Sequence, residues 1–329
     1  KTGQNNLLAE AEKDKQSGLK ELKTCALYFK CSPHYEDAIP YFKSAATNFS
    51  AVKNTKEEIY CRNQLVLCFQ KLDSPWEEGN ELEKISYLQI HELNDNDEAY
   101  KTSINAHNAF YAKGDYHDAS NCISKIALVL KQNNQIELCE KALRVSFNSS
   151  IKYGHVVISK DESHDYIYKT FSFYFGTLIV NDKTKQAIDI CDLLAKSIES
   201  YEKEKSEIFH IYFSKMLGLI INEESDQEID SVLAKCEEWA ADRDDLGRLG
   251  AAKLIRAAIS NGDDKLFNEN SYEVSVRMDN EVIKKLRQIL ENNIKENKEK
   301  GEGKNKVYNE EKEKEREQKL EDTREKYLD

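Results

Sequence analysis

A pattern of one aromatic and one small residue recurs along this chain about every forty residues, and it constrains the fold more than any other feature. The aromatic residues are Tyr35, Trp76 and Tyr116, and three positions after them come Ala38, Gly79 and Ala119. Eleven positions after each aromatic lie Ala46, Tyr87 and Ala127, and fourteen positions after it lie Phe49, Ile90 and Leu130. Thr184 opens a fourth copy, with Ala187, Ala195 and Ile198 at the same offsets. Self-similarity of this length is the signature of a repeat architecture.

The offsets within each copy predict helical hairpins. Intervals of 3, 8 and 3 residues place the side chains near one face of a helix. The small residue lets a partner helix approach closely, and a hairpin that buries only one side must stack on its neighbours. We therefore predict an all-α fold of tetratricopeptide-like stacked antiparallel helical hairpins, an α-solenoid that forms a twisted helical sheet and ends in a C-terminal helical bundle.

Weaker copies and helix breaks extend this organisation along the chain. Further copies are expected from about Asp226 and from about Gly262, and two longer helices are expected around Leu138–Tyr153 and Tyr166–Val180. The breaks are expected at Asp73-Ser74-Pro75, Lys113-Gly114-Asp115 and Asn261-Gly262-Asp263. Pro40 fits only the first turn of a helix that begins near Asp37 or Ala38.

The predicted domain division follows the change in composition. Residues 1–220 are expected to form the repeat layer and residues 221–298 the C-terminal bundle. Residues 295–329 contain twelve acidic and eleven basic residues and almost no apolar ones. We expect residues 299–329 to be a charged tail, either disordered or a solvated helix.

Charge and cysteine usage indicate a cytoplasmic chain that does not bind nucleic acid. The net charge of −12 repels a phosphate backbone. No run of 18 apolar residues is present, and Leu7-Leu8 is followed at once by charged residues, so neither a membrane span nor a signal peptide is expected. The eight cysteines lack a C-x-x-C pair and are expected to be free, mostly buried thiols.

Motifs for catalysis and metal binding are absent from the sequence. It contains no phosphate-binding glycine loop, no nucleophile elbow and no H-E-x-x-H, and its seven histidines show no ligand spacing. We therefore expect no catalytic residue, no metal and no cofactor. An enzyme with an undetected site remains an alternative, which a pocket with convergent titratable groups would favour.

Four short segments, in this order along the chain, resemble the soluble NSF attachment protein (SNAP) family, and its gamma branch more than its alpha branch. They are Leu7-Leu8-Ala9-Glu10-Ala11-Glu12, Pro33-His34-Tyr35-Glu36-Asp37-Ala38, Ala187-Ile188-Asp189-Ile190, and Met278-Asp279-Asn280 with the apolar helix that follows. The resemblance implies a peripheral membrane adaptor in vesicle-mediated transport. Such an adaptor binds assembled SNARE complexes and recruits and stimulates a hexameric NSF-type AAA+ ATPase for SNARE disassembly.

The resemblance also implies three sets of site residues. The membrane-contact loop is Leu27, Tyr28 and Phe29, although these residues alternatively pack onto the first hairpin. The SNARE-binding cations are Lys125, Lys141, Arg144, Lys152 and Lys169. The ATPase-contacting residues are Asp263, Asp264, Asp279, Glu281 and Leu328. The alternative to this reading is a generic helical-repeat scaffold for another peptide or protein, because the fold alone does not set the function.

Overall fold

The structure is a computed structural model that describes residues 2–23, 33–158, 165–198, 205–276, 278–301 and 318. Within these residues every regular element is an α-helix, and fourteen helices are present. The chain divides after Tyr153 into two compact units, which we call unit 1 and unit 2. The all-α class and the hairpin architecture predicted from the repeats are confirmed.

Unit 1 contains the first six helices and most of the seventh. These helices are α1 (Thr2–Glu21), α2 (Tyr35–Ala51), α3 (Thr55–Lys71), α4 (Pro75–His91), α5 (Asn96–Ala112), α6 (Tyr116–Gln132) and α7 (Ile136–Ile158). Each helix from α1 to α5 packs against the next one along the chain, and α4 also packs against α6. Consecutive hairpins therefore stack with their first helices, α4 and α6, side by side.

Unit 2 contains the remaining helices. They are α8 (Asp165–Val180), α9 (Thr184–Ile198), α10 (Lys205–Ile221), α11 (Asp226–Trp239), α12 (Arg243–Asn261), α13 (Asp264–Ser275) and α14 (Asn280–Gly301). α10 packs against α8, α9, α11, α12 and α14, and almost every residue from Ile208 to Ile221 is buried. A helix that is apolar all round belongs in the interior. The boundary predicted after residue 220 stays a prediction.

The helices of the repeats end in the same way. In four loops of unit 1 a backbone N–H donates to the carbonyl five residues earlier: Asn54 to Phe49, Ser74 to Phe69, Asp115 to Phe110 and Gln135 to Leu130. The residue before each donor has a positive φ, namely Lys53, Asp73, Gly114 and Asn134. This is the geometry of a Schellman cap, which satisfies the last carbonyl groups of a helix and turns the chain sharply.

The small and apolar repeat positions form the core of the hairpins except at Tyr87, whereas the starting aromatics do not: Trp76 is 50% exposed, and Tyr35 and Tyr116 are half-buried. The small residues Ala38, Gly79, Ala119 and Ala187 are buried, as are the apolar residues fourteen positions after each starting residue. Tyr87 was expected on the same buried face, but its side chain is 57% exposed. The other copies carry alanine there, and a phenol ring is too large for the space that an alanine fills.

Pro40 lies deeper in its helix than the sequence predicted. α2 begins at Tyr35, so Pro40 falls in the second turn instead of the first. Proline has no N–H to donate to the carbonyl of residue 36. Pro40 and Glu36 are both exposed, so water can satisfy that carbonyl.

Candidate functional site

Three of the predicted cations lie on one face of α7. Lys141, Arg144 and Lys152 are exposed, and their spacing places them along one side of the helix. The row is about 16 Å long from Lys141 to Lys152. The charge of Arg144 lowers the pKa of the Tyr100 phenol on α5, but burial has the larger effect and raises that pKa. Three of the five predicted cations thus lie on one surface of α7, and their role in SNARE binding stays a prediction.

A buried cluster of serines holds α7 against α6. Ser120 Oγ of α6 lies 2.8 Å from Ser146 Oγ and 2.7 Å from Ser150 Oγ of α7. Ser124 Oγ lies 2.5 Å from Ser146 Oγ. Small hydroxyl side chains allow a close helix contact and pair with one another inside it. Because this contact uses one face of α7, the charged face of α7 points away from α6.

α5 also contacts α7, through the side chain of His107. Its Nε2 atom lies 2.7 Å from Ser149 Oγ, and its Nδ1 atom lies 3.1 Å from Asn108 Oδ1. Burial lowers the pKa of His107, and the contact with Asn108 opposes this only in part. The neutral imidazole is thus the form that fits this interior.

Lys125 belongs to a different surface of unit 1. Its Nζ atom lies 2.6 Å from Glu83 Oε1, so the side chain bridges α6 to α4. It lines a depression of about 510 Å³ together with Tyr87, Lys84 and Arg62. A second depression, of about 520 Å³, lies between α2 and α4 over α3 and shares Lys84 and Arg62 with the first. The sequence grouped Lys125 with the cations of α7, but its contacts are with α4.

An ionic network lies beneath these depressions. Arg62 donates to Glu58 at 2.7 Å and to Glu81 at 2.8 Å, and Glu81 also binds Lys84 at 2.6 Å. Burial lowers the pKa of Arg62, but its hydrogen bonds to Glu58 and Glu81 outweigh burial, so the net shift is upward. Neither carboxylate was predicted to pair with Arg62. The spacing of four residues on α3 could have indicated Glu58, whereas Glu81 lies on α4 and meets Arg62 only because the two helices pack together.

Lys169 lies at a cavity in unit 2. The cavity has a volume of about 520 Å³ and is lined by Tyr168, Lys169, Ser172, Phe173, Glu207, His210, Met278 and Asp279. Asp279 packs on α8 at Gly176, where an added Cβ would lie 2.6 Å from Asp279 Cβ. Only glycine permits this approach. One predicted SNARE-binding residue and one predicted ATPase-contacting residue thus line the same cavity.

The groups in this cavity suit binding better than acyl transfer. Ser172 Oγ lies 3.2 Å from His210 Nε2, which is the distance a nucleophile and its base require. Ser172 stands in the middle of α8, however, where the neighbouring backbone N–H groups donate to carbonyls of the same helix. Such groups cannot form an oxyanion hole, which acyl transfer needs.

The other predicted ATPase-contacting carboxylates have local partners. Asp263 accepts the N–H of Leu266 at 3.0 Å and caps α13, and Asp279 accepts the N–H of Glu281 at 3.0 Å at the start of α14. Asp264 pairs with Arg287 at 2.8 Å, and Glu281 pairs with Lys284 at 2.7 Å. The predicted site residues Leu27, Tyr28, Phe29 and Leu328 lie outside the described part of the chain.

Among the residues that the structure describes, one group of possible metal ligands occurs between α1 and α2. Glu21, His34 and Asp37 each offer an atom within 4.8 Å of the others. His34 Nδ1 contacts Asp37 Oδ2 at 3.2 Å, and both side chains are largely exposed. Exposed groups of this kind are common on protein surfaces, and the trio carries no metal assignment.

Comparison with known proteins identifies no family. No family model and no curated protein matches the sequence. Among solved structures, two crystal structures of a "putative kinesin light chain" from Podosopora anserina with nearly identical TPR-like repeats are similar, one of them a variant. Each is 9% identical over 72% of this chain and 95% of that chain, with a TM-score of 0.25. The fold assignment therefore rests on the helical hairpins themselves. None of the described helices has the length and apolar character needed to cross a membrane.

Proposed function

We propose that this chain is a gamma-type SNAP, a cytoplasmic adaptor that binds assembled SNARE complexes and recruits and stimulates an NSF-type AAA+ ATPase. The observation that carries the proposal is the row of exposed cations on α7, Lys141, Arg144 and Lys152, on a stack of helical hairpins in a chain of net charge −12. The ordered segments that resemble the SNAP family support it. Membrane contact through Leu27, Tyr28 and Phe29 belongs to the same proposal.

The cations of α7 suit an acidic helical bundle as a partner. The serine contacts with α6 hold the helix in place, so the three positive groups stay on one outer surface. A rigid row of charge steers an acidic partner and fixes its register more than it adds affinity. In unit 2, Lys169 is the further cation for the bundle, and Asp264 and Glu281 are carboxylates for the ATPase.

The test is a pull-down of an assembled SNARE bundle and an NSF-type ATPase with the full chain. We expect an ATP-sensitive ternary complex at physiological salt. Lys141→Glu with Lys152→Glu should weaken bundle binding at least about tenfold, because reversed charges repel the acidic partner. Binding by the unaltered chain should also weaken as the salt concentration rises, since exposed charges are screened.

Lys56→Glu with Lys71→Glu is the matched control, because both lysines are exposed on α3 and the change in net charge is the same. This variant should bind the bundle like the unaltered chain. Absence of a ternary complex would contradict the adaptor role. Equal weakening by both double variants would mean that net charge, and not the face of α7, controls binding.

A further inference from the structure

A groove of about 950 Å³ in unit 2 lies over α10, between α9 and α11. α10 packs against both of these helices, whereas α9 and α11 make little contact with each other. α9 and α11 therefore form the walls of the groove. Its floor contains Leu219 of α10 and Val232 of α11, which are 6% and 8% exposed. This floor is part of the packed interior of unit 2, so it keeps its shape.

The charged groups of this groove do not balance. It is lined by four carboxylates and two lysines: Asp189, Asp192, Glu224, Glu228, Lys185 and Lys215. Lys215 lies 2.6 Å from Asp192 and neutralises it. Among the described residues, no cation lies at ion-pair distance from Asp189, Glu224 or Glu228. Lys185 is the remaining lysine of the lining, so two carboxylates are in excess and the groove attracts cations.

Neutral hydrogen bonds hold two of these carboxylates in place. Asn222 Nδ2 donates to Glu224 Oε1 at 2.6 Å, and Ser225 Oγ donates to Glu228 Oε2 at 3.0 Å. Ser225 Oγ also accepts the N–H of Glu228 and caps α11. These bonds orient the carboxylates but leave their charge in place. The α11 wall of the groove is therefore preorganised for a cation.

A long cationic side chain matches this combination of apolar floor and acidic walls. Lysine and arginine lay an aliphatic stem along apolar surface and keep the charged head in a polar environment. The guanidinium of arginine also binds a carboxylate through two parallel N–H groups. The lining residues of α9 run from Lys185 to Asp192, which is about 10 Å along the helix axis. An extended chain of three residues covers that length.

We propose that this groove binds a short basic segment of a partner protein, with arginine or lysine side chains as its anchors. The stem of an anchor lies on Leu219 and Val232, and its head pairs with Glu224, Glu228 or Asp189. None of these residues belongs to the bundle-binding row of α7 or to the carboxylates assigned to the ATPase. The inference therefore goes beyond the proposed function and stands whether or not the chain is a SNAP.

The probe is a labelled nine-residue peptide with Arg-Leu-Arg at its centre and glycine and serine on both sides. Fluorescence anisotropy measures its binding to the full chain, and saturable binding of one peptide per chain is expected. Glu224→Gln with Glu228→Gln should weaken binding at least about tenfold and reduce its salt dependence. Glutamine keeps a side-chain oxygen for Asn222 and Ser225, and circular dichroism verifies that the variant folds.

Glu237→Gln with Glu238→Gln is the matched control. Both residues are exposed on α11 outside the lining of the groove, and the change in net charge is the same. This variant should bind the peptide like the unaltered chain. Equal weakening by the two double variants would overturn the proposal, because the net charge of the chain would then explain the binding.

Two altered peptides test the role of the stem. A version with lysine in place of arginine should bind the groove. A version with 2,4-diaminobutyric acid has the same ammonium head on a stem that is two methylene groups shorter. It should bind at least about tenfold more weakly than the lysine version, because less apolar surface reaches the floor. Equal binding of these two peptides would also overturn the proposal, since attraction between charges would then be sufficient.

Sedimentation of the chain without peptide tests whether a second copy fills the groove. The unaltered chain and the variant Glu224→Gln with Glu228→Gln should sediment alike. A self-association that this variant abolishes would contradict the proposal, because a second copy of the chain would then be the occupant.

Discussion

Arg62 is the side chain on which the buried ionic network of unit 1 depends. Glu58 and Glu81 are 4% and 5% exposed, and Arg62 bonds to both of them. Without Arg62, Glu58 would lose its cation and Glu81 would keep only the exposed Lys84, and a buried carboxylate without a cation carries a high desolvation cost. The planar guanidinium suits this position because it donates in two directions at once.

Replacing Arg62 by methionine should destabilise the protein strongly. The variant keeps the aliphatic volume but leaves Glu58 and Glu81 without the cation that bridges them. We expect a loss of about 3–5 kcal/mol in the free energy of unfolding, as for other buried pairs that lose one partner. Urea denaturation followed by circular dichroism measures this loss.

The triple variant Glu58→Met, Arg62→Met, Glu81→Met is the control for that experiment. Well-packed apolar groups often replace a buried ionic network without cost. Most of the lost stability should therefore return. A triple variant as unstable as Arg62→Met alone would mean that the size or shape of the side chains, and not their charge, decides stability here.

His107 should make unit 1 less stable in mild acid. Burial lowers the pKa of His107 in the folded chain below its unfolded value, so the unfolded chain binds more protons as the pH falls. The stability is complete above the unfolded pKa of about 6.5 and is lost as the pH falls through the folded pKa. His107→Gln should flatten the fall in the urea midpoint from pH 7 to pH 5. His91→Gln, at an exposed site on α4, should not.

At the scale of single helices, the repeats show which features of a helix are specified by its local sequence. The copy expected from about Asp226 opens with α11, which begins at Asp226. The two helices expected between the third and fourth copies are α7 and α8, of which α7, with 23 residues, is longer than the repeat helices and α8, with 16, is not. These segments have strong apolar periodicity and clear end signals. α2 begins earlier than Pro40 suggested, because packing of its buried face outweighs one missing hydrogen bond at an exposed position.

The small residue of each copy has a packing role that a single methyl group tests. At Gly79 an added Cβ would lie 2.8 Å from the ring of Phe110 on α5. Gly79→Ala should therefore cost about 1–3 kcal/mol in the free energy of unfolding, although alanine favours helix. At Gly3 of α1 no atom lies within 4 Å of the added Cβ, so Gly3→Ala should be neutral or add up to about 1 kcal/mol. Thermal denaturation of both variants compares the two effects, and equal melting temperatures would contradict the packing role.

For the chain as a whole, the two units place different charges in similar grooves. The two depressions of unit 1 over α3 are lined by four cations and four carboxylates, so their charges balance. The corresponding groove of unit 2, over α10 between α9 and α11, is lined by Asp189, Asp192, Glu224 and Glu228 against Lys185 and Lys215. The net charge of −12 describes the whole chain and does not show this difference between the two units. The exposed cations of α7, and not these grooves, are therefore the surface that we expect to meet an acidic partner.

The repeats and their end signals were sufficient to predict an all-helical stack of hairpins and most of its buried small residues. Periodicity and caps act over a few turns of one helix, so the local sequence contains them. The candidate sites depend on distances between helices. Lys125 contacts Glu83 of α4, Tyr87 lies in a groove, and Lys169 shares a cavity with Asp279. Such neighbours are far apart along the chain, and only the packing of the helices decides which of them meet.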